Sequence, residues 1–212
     1  PPLARSVRSG LGTLALVRFD ASLAGCKSRR IDRTFRSKGH TVNRTLATTL
    51  STPDGPFTLL AGDAGLLASG WTGDVADLLA LVHPTLRPDP ADVRELAGAR
   101  ADHEIAGAAL AVDAYYSGEL DAPSGIRVVQ HSGPFRMDAW DALRAVAPGT
   151  QLTYTGYAAL AGRPLAIRAA AAACAMNAAA LFVPCHRILR ADGSLGGFRY
   201  GLEIKQRLLA RE

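Results

Sequence analysis

The chain has 212 residues, of which 48% are hydrophobic, and this is enough apolar material for one substantial domain or two small ones. The formal net charge is +5. No apolar run reaches the roughly eighteen uncharged residues that a membrane-spanning helix needs, and the three cysteines, Cys26, Cys174 and Cys185, are too few for a disulfide framework. These features exclude a membrane-spanning or disulfide-stapled secreted protein and predict a soluble cytoplasmic one.

Charge changes sign twice along the chain. Residues 1–46 carry ten basic and two acidic side chains, residues 47–125 carry three and twelve, and residues 126–212 carry eleven and five. A basic C-terminal block beside an acidic middle block suggests two modules, one of which faces a polyanion such as nucleic acid. From charge alone, a solvated basic face is the simpler alternative.

The first half of the chain reads as a tail followed by a small mixed module. Residues 1–42 are arginine-rich with little periodicity, which predicts a poorly ordered basic extension; a transit peptide and a misassigned start codon are alternatives. From Thr45, short β-type segments alternate with Pro-Asp-Gly and Gly-Asp turns, which predicts an antiparallel meander. A helix is predicted within residues 91–118, and a linker at residues 117–125. The predicted domains are therefore 43–125, a scaffold, and 126–212.

In the second half, a short strand is predicted within residues 125–133 and a helix within residues 133–149. The helix has an apolar face on which Trp140 is expected to be a core residue, and Pro148 and Gly149 are expected to end it.

Two further helices are predicted between residues 152 and 177. Thr153 is a plausible N-cap of the first, Gly162 its C-terminal stop, and Pro164 the first position of the second. A pair of helices joined by a tight turn is a helix-turn-helix. The second helix is nearly all alanine apart from Arg168, so it suits close approach to a DNA groove with one inserted cation. Close packing against another helix is the alternative.

The stretch "ALFVPCHRILRADG" places Cys185 beside His186. A thiolate is the nucleophilic form of cysteine, and a neighbouring cation or base that lowers a thiol pKa increases its fraction. Adjacent side chains do not face each other, so we expect the thiol and the imidazole to interact through water, with a third group orienting the imidazole. Glu212 is the candidate, because Ile204, Leu208 and Glu212 share one helix face. A solvent-exposed, frayed Glu212 is the alternative.

Residues 149–212, with the Pro-Cys-His-Arg motif at their centre, resemble the active-site domain of the O6-alkylguanine-DNA alkyltransferases. The likeness extends without gaps from about Phe135 to Glu212, and more weakly over the module that begins near Thr45. It implies an α/β fold in which a small ribonuclease-H-like N-terminal module packs on a mostly helical C-terminal domain with a helix-turn-helix. It also implies a suicide methyltransferase of DNA repair, acting as a monomer on double-stranded DNA that carries alkylated guanine.

The resemblance implies residue roles as well. Cys185 takes the alkyl group, His186 acts through water, and Glu212 fixes the tautomer of the imidazole. Arg168 enters the base stack through the minor groove in place of the flipped guanine. The further substrate-binding residues implied are Tyr154, Asn177, Val183, Phe198 and Arg199, and the further DNA-binding residues are Thr153, Arg163, Ala166, Ala169 and Ala172.

No cofactor is implied, and no metal, because the cysteines and histidines show none of the short paired spacings of zinc sites. The chain departs from the family pattern at Ala171, Ala178, Phe198 and Arg199, and the added bulk of Arg199 is expected to restrict larger alkyl adducts. Two other functions stay open. One is a lesion sensor that binds without reacting, and the other is a DNA-binding regulator in which Cys185 is merely buried.

Overall fold

The computed structural model describes residues 45–96 and 104–212. The basic extension predicted for residues 1–42 lies outside these residues. The boundary predicted between residues 125 and 126 stays a prediction.

A four-stranded sheet forms the first part of the described chain. Its strands are β1 (Thr45–Thr52), β2 (Gly55–Gly62), β3 (Gly65–Gly70) and β4 (Val93–Leu96), in the order β3-β2-β1-β4. The first three strands pair antiparallel, so the predicted meander is confirmed, while β4 runs parallel to β1. The turns between the antiparallel strands need glycine, since Gly55 and Gly65 have φ angles of 109° and 134°.

The helix predicted within residues 91–118 is only partly correct. Val93–Leu96 is strand β4, and helix α2 spans Glu104–Tyr116. Pairing with the open edge of β1 satisfies the backbone of β4, and this long-range interaction overrides the local helical preference. A short helix, α1 (Val75–Leu81), was not predicted; the carboxylate of Asp74 caps it by accepting from the backbone N–H of Ala76.

The sheet is covered on both faces, which explains its nearly continuous hydrophobic sequence. Side chains alternate along a strand, so Phe57 and Leu59 contribute to the larger core while Leu60 contributes to a smaller one. Helix α2 packs on the first face and α1 on the second. The larger core continues into the C-terminal helices through Trp140 and Tyr157, as predicted for Trp140.

The C-terminal part is mostly helical. Its elements are α3 (Pro134–Arg144), β5 (Leu152–Thr153), α4 (Tyr154–Leu160), α5 (Ile167–Ala175), β6 (Ile188–Leu189) and α6 (Leu202–Arg211). The mixed α/β fold class is therefore confirmed. The indole N–H of Trp140 donates to the carbonyl of Ala173 at 2.9 Å, and the hydroxyl of Tyr157 donates to that of Ala139 at 2.8 Å. These bonds hold α3, α4 and α5 together.

The two helices α4 and α5 follow one another after a short connection. Thr153 caps α4 as predicted, its hydroxyl accepting from the N–H of Gly156 at 3.1 Å, and Gly162 follows the helix with a φ of 76°. The prediction that Pro164 opens the second helix is wrong. Residues 163–166 form a turn closed by a bond from the N–H of Ala166 to the carbonyl of Arg163, so α5 begins at Ile167.

The free edge of β3 joins the sheet to the C-terminal part. Ser69 exchanges backbone hydrogen bonds with Ala178 and Ala180, and Leu66 does so with Arg127 and Val129. The strand predicted within residues 125–133 is thus reduced to a single bridge to β3. The segment after α5, which leads to Cys185, is in this way anchored on the sheet. Within residues 45–96 and 104–212, no helix is long and apolar enough to cross a membrane.

Candidate active site

Cys185 lies at the wall of a cavity of about 260 Å³. The first turn of α4 contributes Tyr154, and the last turns of α5 contribute Cys174 and small alanines. The opposite wall is the loop of residues 196–200 before α6. The cavity is lined by Tyr154, Ala171, Cys174, Ala175, Asn177, Ala180, Cys185, Gly197, Phe198, Arg199 and Tyr200. The structure therefore brings together the thiol and four of the six predicted substrate-binding residues.

The backbone before Cys185 makes an unusual turn. The buried Leu181 has a φ of 74°, in the left-handed region that non-glycine residues seldom adopt. The N–H of Val183 then donates to the carbonyl of Ala179, and the N–H of Cys185 to that of Val183 at 2.8 Å. This turn places Cys185 at the start of a short 3₁₀ turn, Cys185–Arg187, facing the cavity.

Asn177 forms hydrogen bonds with both the thiol of Cys185 and the turn that precedes it. Its side-chain amide donates to the sulfur of Cys185 at 3.3 Å and to the carbonyl of Val183 at 2.8 Å. Its carbonyl oxygen accepts from the N–H of Ala179 and from the amide of Gln130. The carbonyl of Val183, one of the substrate-binding residues that the resemblance implies, therefore already accepts a hydrogen bond from Asn177.

Burial raises the pKa of the Cys185 thiol, since it disfavours the thiolate. The hydrogen bond from Asn177 and the positive charges of Lys205 and Arg199 act in the opposite direction but do not outweigh burial. A resting thiolate, the form the sequence suggested, is thus not favoured. To act as a nucleophile, the thiol would have to lose its proton.

His186 and Glu212 form a buried pair. Nε2 of the fully buried imidazole donates to Oε1 of Glu212 at 3.0 Å, and the glutamate side chain is 1% exposed. Hydrogen bonds from His186 and Arg187 outweigh the effect of burial and lower the pKa of Glu212 to about 2. Burial lowers the pKa of His186, so the imidazole is neutral at neutral pH.

The tautomer of His186 follows from this contact. A carboxylate can only accept, so the ring proton is on Nε2 and Nδ1 carries a lone pair. Nδ1 is buried and has no hydrogen-bond partner within the described part of the chain. The thiol and the imidazole are not directly bonded there either. The arrangement presents an unpartnered buried base next in sequence to the thiol.

Three residues of the site were missed by the sequence interpretation. Arg187 makes a bidentate contact with Glu212, with Nε and Nη2 each 2.9 Å from a carboxylate oxygen. Tyr115 of α2 donates its hydroxyl to Oε1 of Glu212 at 3.1 Å. Lys205 of α6 is fully buried and donates to the carbonyls of Ile188 and Leu195. Only Arg187, next to the Cys-His pair, carried a signal in the sequence.

The loop of residues 196–200 is tied to two other elements. The guanidinium of Arg199 donates to the carbonyl of Ala175 at the end of α5. The hydroxyl of Tyr200 donates to the carbonyl of Ser69, and its ring packs so closely on Gly70 that a Cβ there would lie 1.9 Å from the hydroxyl oxygen. The rings of Phe198 and Tyr200 also pack against Trp71 of the first module.

The predicted DNA-binding residues lie on or just before α4 and α5. Arg163, Arg168, Ala169 and Ala172 are exposed, and Ala166 is half-buried. The face of α5 opposite to them buries Ala170 and Ala173. The hydroxyl of Thr153 is used to cap α4. A groove of about 420 Å³ runs between α3 and α5, lined by Ser132, Gly133, Pro134, Phe135, Arg136, Arg163, Ala169 and Ala172.

The chain is similar to several known proteins. The family model of the 6-O-methylguanine DNA methyltransferase DNA-binding domain matches residues 134–212. The bifunctional transcriptional activator/DNA repair enzyme Ada of Escherichia coli is 40% identical over 94 residues, 44% of this chain and 27% of that protein. The methylated-DNA–protein-cysteine methyltransferase of Kluyveromyces lactis is 36% identical over 97 residues, 45% of this chain and 51% of that protein.

The same relationship is seen among solved structures. The structure of Mycobacterium tuberculosis OGT in complex with DNA superimposes with a TM-score of 0.63 at 27% identity, covering 78% of this chain and 91% of that one. The chain spans about a quarter to a half of the length of the curated relatives named above. Residues 134–212 of this chain are therefore similar to the DNA-binding domain of the 6-O-methylguanine DNA methyltransferases.

Proposed function

We propose that this chain is a DNA repair protein that transfers an alkyl group, mainly methyl, from O6 of guanine in duplex DNA to Sγ of Cys185. The observation that carries the proposal is a thiol at the wall of a 260 Å³ cavity, next to a buried histidine with a free Nδ1. Two similarities support it: the match of residues 134–212 to the 6-O-methylguanine DNA methyltransferase DNA-binding domain, and the likeness to a methylated-DNA–protein-cysteine methyltransferase. Each molecule reacts once, because an S-alkyl cysteine is a stable thioether.

The reaction is one displacement at the alkyl carbon. The bond from Sγ to that carbon forms as the bond from the carbon to O6 breaks, and the electron pair of the broken bond stays on the guanine. The thiol proton passes through water to Nδ1 of His186. The guanine takes one proton from water to become the normal base, and the imidazolium later returns its proton to the solvent. Because burial raises the pKa of Cys185, we expect proton removal to accompany the displacement rather than precede it. Glu212 stabilises the imidazolium that forms.

We expect α4 and α5 to bind DNA as a helix-turn-helix. The exposed alanine face of α5 allows close approach to the minor groove, and Arg168 in its first turn is free to enter the base stack as the damaged guanine flips out. Flipping costs a few kcal/mol, least for a weakly paired base. Arg163 and the groove beside α3 add contacts to phosphates. The protein is expected to act as a monomer.

The extruded base is expected to enter the cavity between Tyr154 and the loop of residues 196–200. Tyr154 crowds the adjacent phosphate, and a carbonyl near Val183 accepts from the guanine amine through its second lone pair. Phe198 and Arg199 form the outer wall. Since Arg199 is tied to Ala175, we expect that loop to limit the size of the alkyl group.

Intact-mass measurement tests the proposal. The protein is mixed with a duplex containing one O6-methylguanine, and peptide mapping locates any added methyl. We expect a single methyl on Cys185 of the wild type, none on Cys185→Ala, and an unchanged result for Cys174→Ala, which removes the second thiol of the same cavity. A wild type that binds the duplex and stays unmodified contradicts the proposal and favours the lesion sensor or the regulator.

A further inference from the structure

Tyr115 reaches the site from helix α2, ninety-seven residues before Glu212 in the sequence. Its side chain is fully buried. Its hydroxyl donates to Oε1 of Glu212 at 3.1 Å, the same oxygen that accepts from Nε2 of His186 at 3.0 Å and from Nη2 of Arg187 at 2.9 Å. The first module thus supplies one of the hydrogen bonds that hold the carboxylate.

Packing does not account for this hydroxyl. A phenylalanine ring fills nearly the same volume, and a buried hydroxyl is unfavourable unless it is hydrogen-bonded. Over residues 45–96 and 104–212, the hydroxyl of Tyr115 bonds to Glu212 alone. Burial and the Glu212 carboxylate both raise the pKa of Tyr115, so the phenol stays protonated and remains a donor.

The next residue, Tyr116, provides an internal comparison. Its hydroxyl donates to Oδ2 of Asp54 at 2.9 Å and accepts from the indole of Trp71 at 3.0 Å. Asp54 also binds the guanidinium groups of Arg207 and Arg211 on α6. Adjacent residues of a helix point in different directions, so the two tyrosines bind two different carboxylates. Tyr116 anchors α6 from outside the site, whereas Tyr115 contacts the site itself.

We propose that Tyr115 is a positioning residue for alkyl transfer, whose hydroxyl holds the carboxylate of Glu212 in the orientation that aligns His186. This inference rests on the proposed function. Tyr115 acts through Glu212 and does not line the cavity around Cys185. The first module then contributes to the chemistry as well as to the fold.

The charged groups around the pair determine the expected pH effect. His186 and Arg187 bind Glu212 directly, while Lys205 and Arg211 of α6 act on His186 and on Tyr115, respectively, through space. Loss of the Tyr115 hydroxyl leaves more negative charge on Oε1 for the imidazole, so the pKa of His186 rises. His186 must be neutral to accept the thiol proton, and the acidic limb of the rate profile therefore moves to higher pH.

The test measures the first-order rate of methyl transfer at saturating methylated duplex, from about pH 5 to pH 9, for wild type, Tyr115→Phe and Tyr116→Phe. For Tyr115→Phe we expect a plateau rate about threefold to tenfold lower, because one hydrogen bond to Glu212 is lost. Its acidic limb should lie at higher pH and its duplex affinity should be unchanged. Tyr116→Phe should lower the unfolding midpoint and leave the plateau and the limb as in the wild type.

A double-mutant cycle distinguishes an effect that acts through Glu212 from a general structural effect of the Tyr115 substitution. In a Glu212→Gln background, Tyr115→Phe should produce no further change in rate, because the residue acts through the carboxylate. The inference is overturned if Tyr115→Phe keeps the plateau and limb of the wild type, if Tyr116→Phe changes them equally, or if the two mutations act additively. These outcomes leave wild-type transfer intact, so they differ from failure of the proposed function, in which the wild type transfers no methyl.

Discussion

The side-chain amide of Asn177 lies 3.3 Å from the sulfur of Cys185 and donates a hydrogen bond to it. The same nitrogen donates to the carbonyl of Val183, so one side chain orients both the thiol of Cys185 and the turn that carries it. Asn177 is 4% exposed, and water cannot easily replace it. The geometry of the thiol therefore depends on a residue eight positions earlier in the chain.

Replacing Asn177 by alanine should impair both stability and reaction. The carbonyl of Val183 and the N–H of Ala179 lose their partner, which should lower the free energy of unfolding by about 2 to 3 kcal/mol. The transfer rate should also fall, because the sulfur is no longer oriented. Urea denaturation and single-turnover kinetics measure the two effects. Gln130→Ala, which removes only a donor to Asn177, should cause a clearly smaller loss of rate; an equal loss would count against a direct role for the amide.

Glu212 should make the stability of the protein depend on pH in the acidic range. Its pKa is lowered to about 2 in the folded state, against about 4.3 in an unfolded chain. Its stabilising contribution is therefore fully present above about pH 4.3 and is lost as the pH falls through about 2. The shift corresponds to roughly 3 kcal/mol. Denaturation curves at several pH values should show a less steep loss of stability for Glu212→Gln than for the wild type.

Glu203 on the same helix provides the control for that experiment. Its side chain is 92% exposed, so Glu203→Gln should follow the wild-type curve. If both substitutions changed the slope equally, the effect would belong to the general charge of α6 rather than to the buried pair.

The positive charge of Lys205 should lower the pKa of the Cys185 thiol. Lys205 is fully buried, burial lowers its pKa, and its charge acts to lower the pKa of Cys185. Lys205→Met should raise the pH midpoint at which iodoacetamide alkylates Cys185. Peptide mapping of the alkylated protein measures the reaction at Cys185. It should also destabilise the fold by about 2 kcal/mol, since the carbonyls of Ile188 and Leu195 lose their donor. Arg168→Met removes an exposed cation and should leave the midpoint unchanged; a matching shift would refute a specific effect of Lys205.

Arg168 should matter for duplex DNA and not for the chemistry. It is exposed on the first turn of α5 and does not line the cavity. Arg168→Ala should slow transfer from a methylated duplex by about tenfold or more. In this variant no arginine side chain fills the space that the flipped guanine leaves in the base stack. Transfer from the free O6-methylguanine base should be unaffected. Arg163→Ala should instead weaken duplex binding at all sequences and reduce its salt dependence. Equal losses of Arg168→Ala on duplex and free base would contradict the assignment.

Much of the local structure could be predicted from the sequence. The β-turn glycines, the cap at Thr153 and the apolar face carrying Trp140 are short-range signals, and each is found in the structure. Errors arose where long-range contacts overrule local preference. Val93–Leu96 became a strand because the edge of β1 was open to it, and residues 125–133 became a single bridge to β3.

The sequence by itself indicated Cys185 and His186 as the candidate reactive pair, the carboxylate that shares a helix face with Leu208, and the alanine-rich helix that carries Arg168. Only the tertiary structure decided how these groups are held. The bonds from Tyr115 to Glu212, from Asn177 to Cys185 and from Arg199 to Ala175 join elements that no periodic pattern connects. Their geometry depends on packing the whole chain, because a hydrogen bond forms only when both partners are brought within about 3 Å. The raised pKa of Cys185 likewise comes from burial, which is a property of the fold and not of the motif.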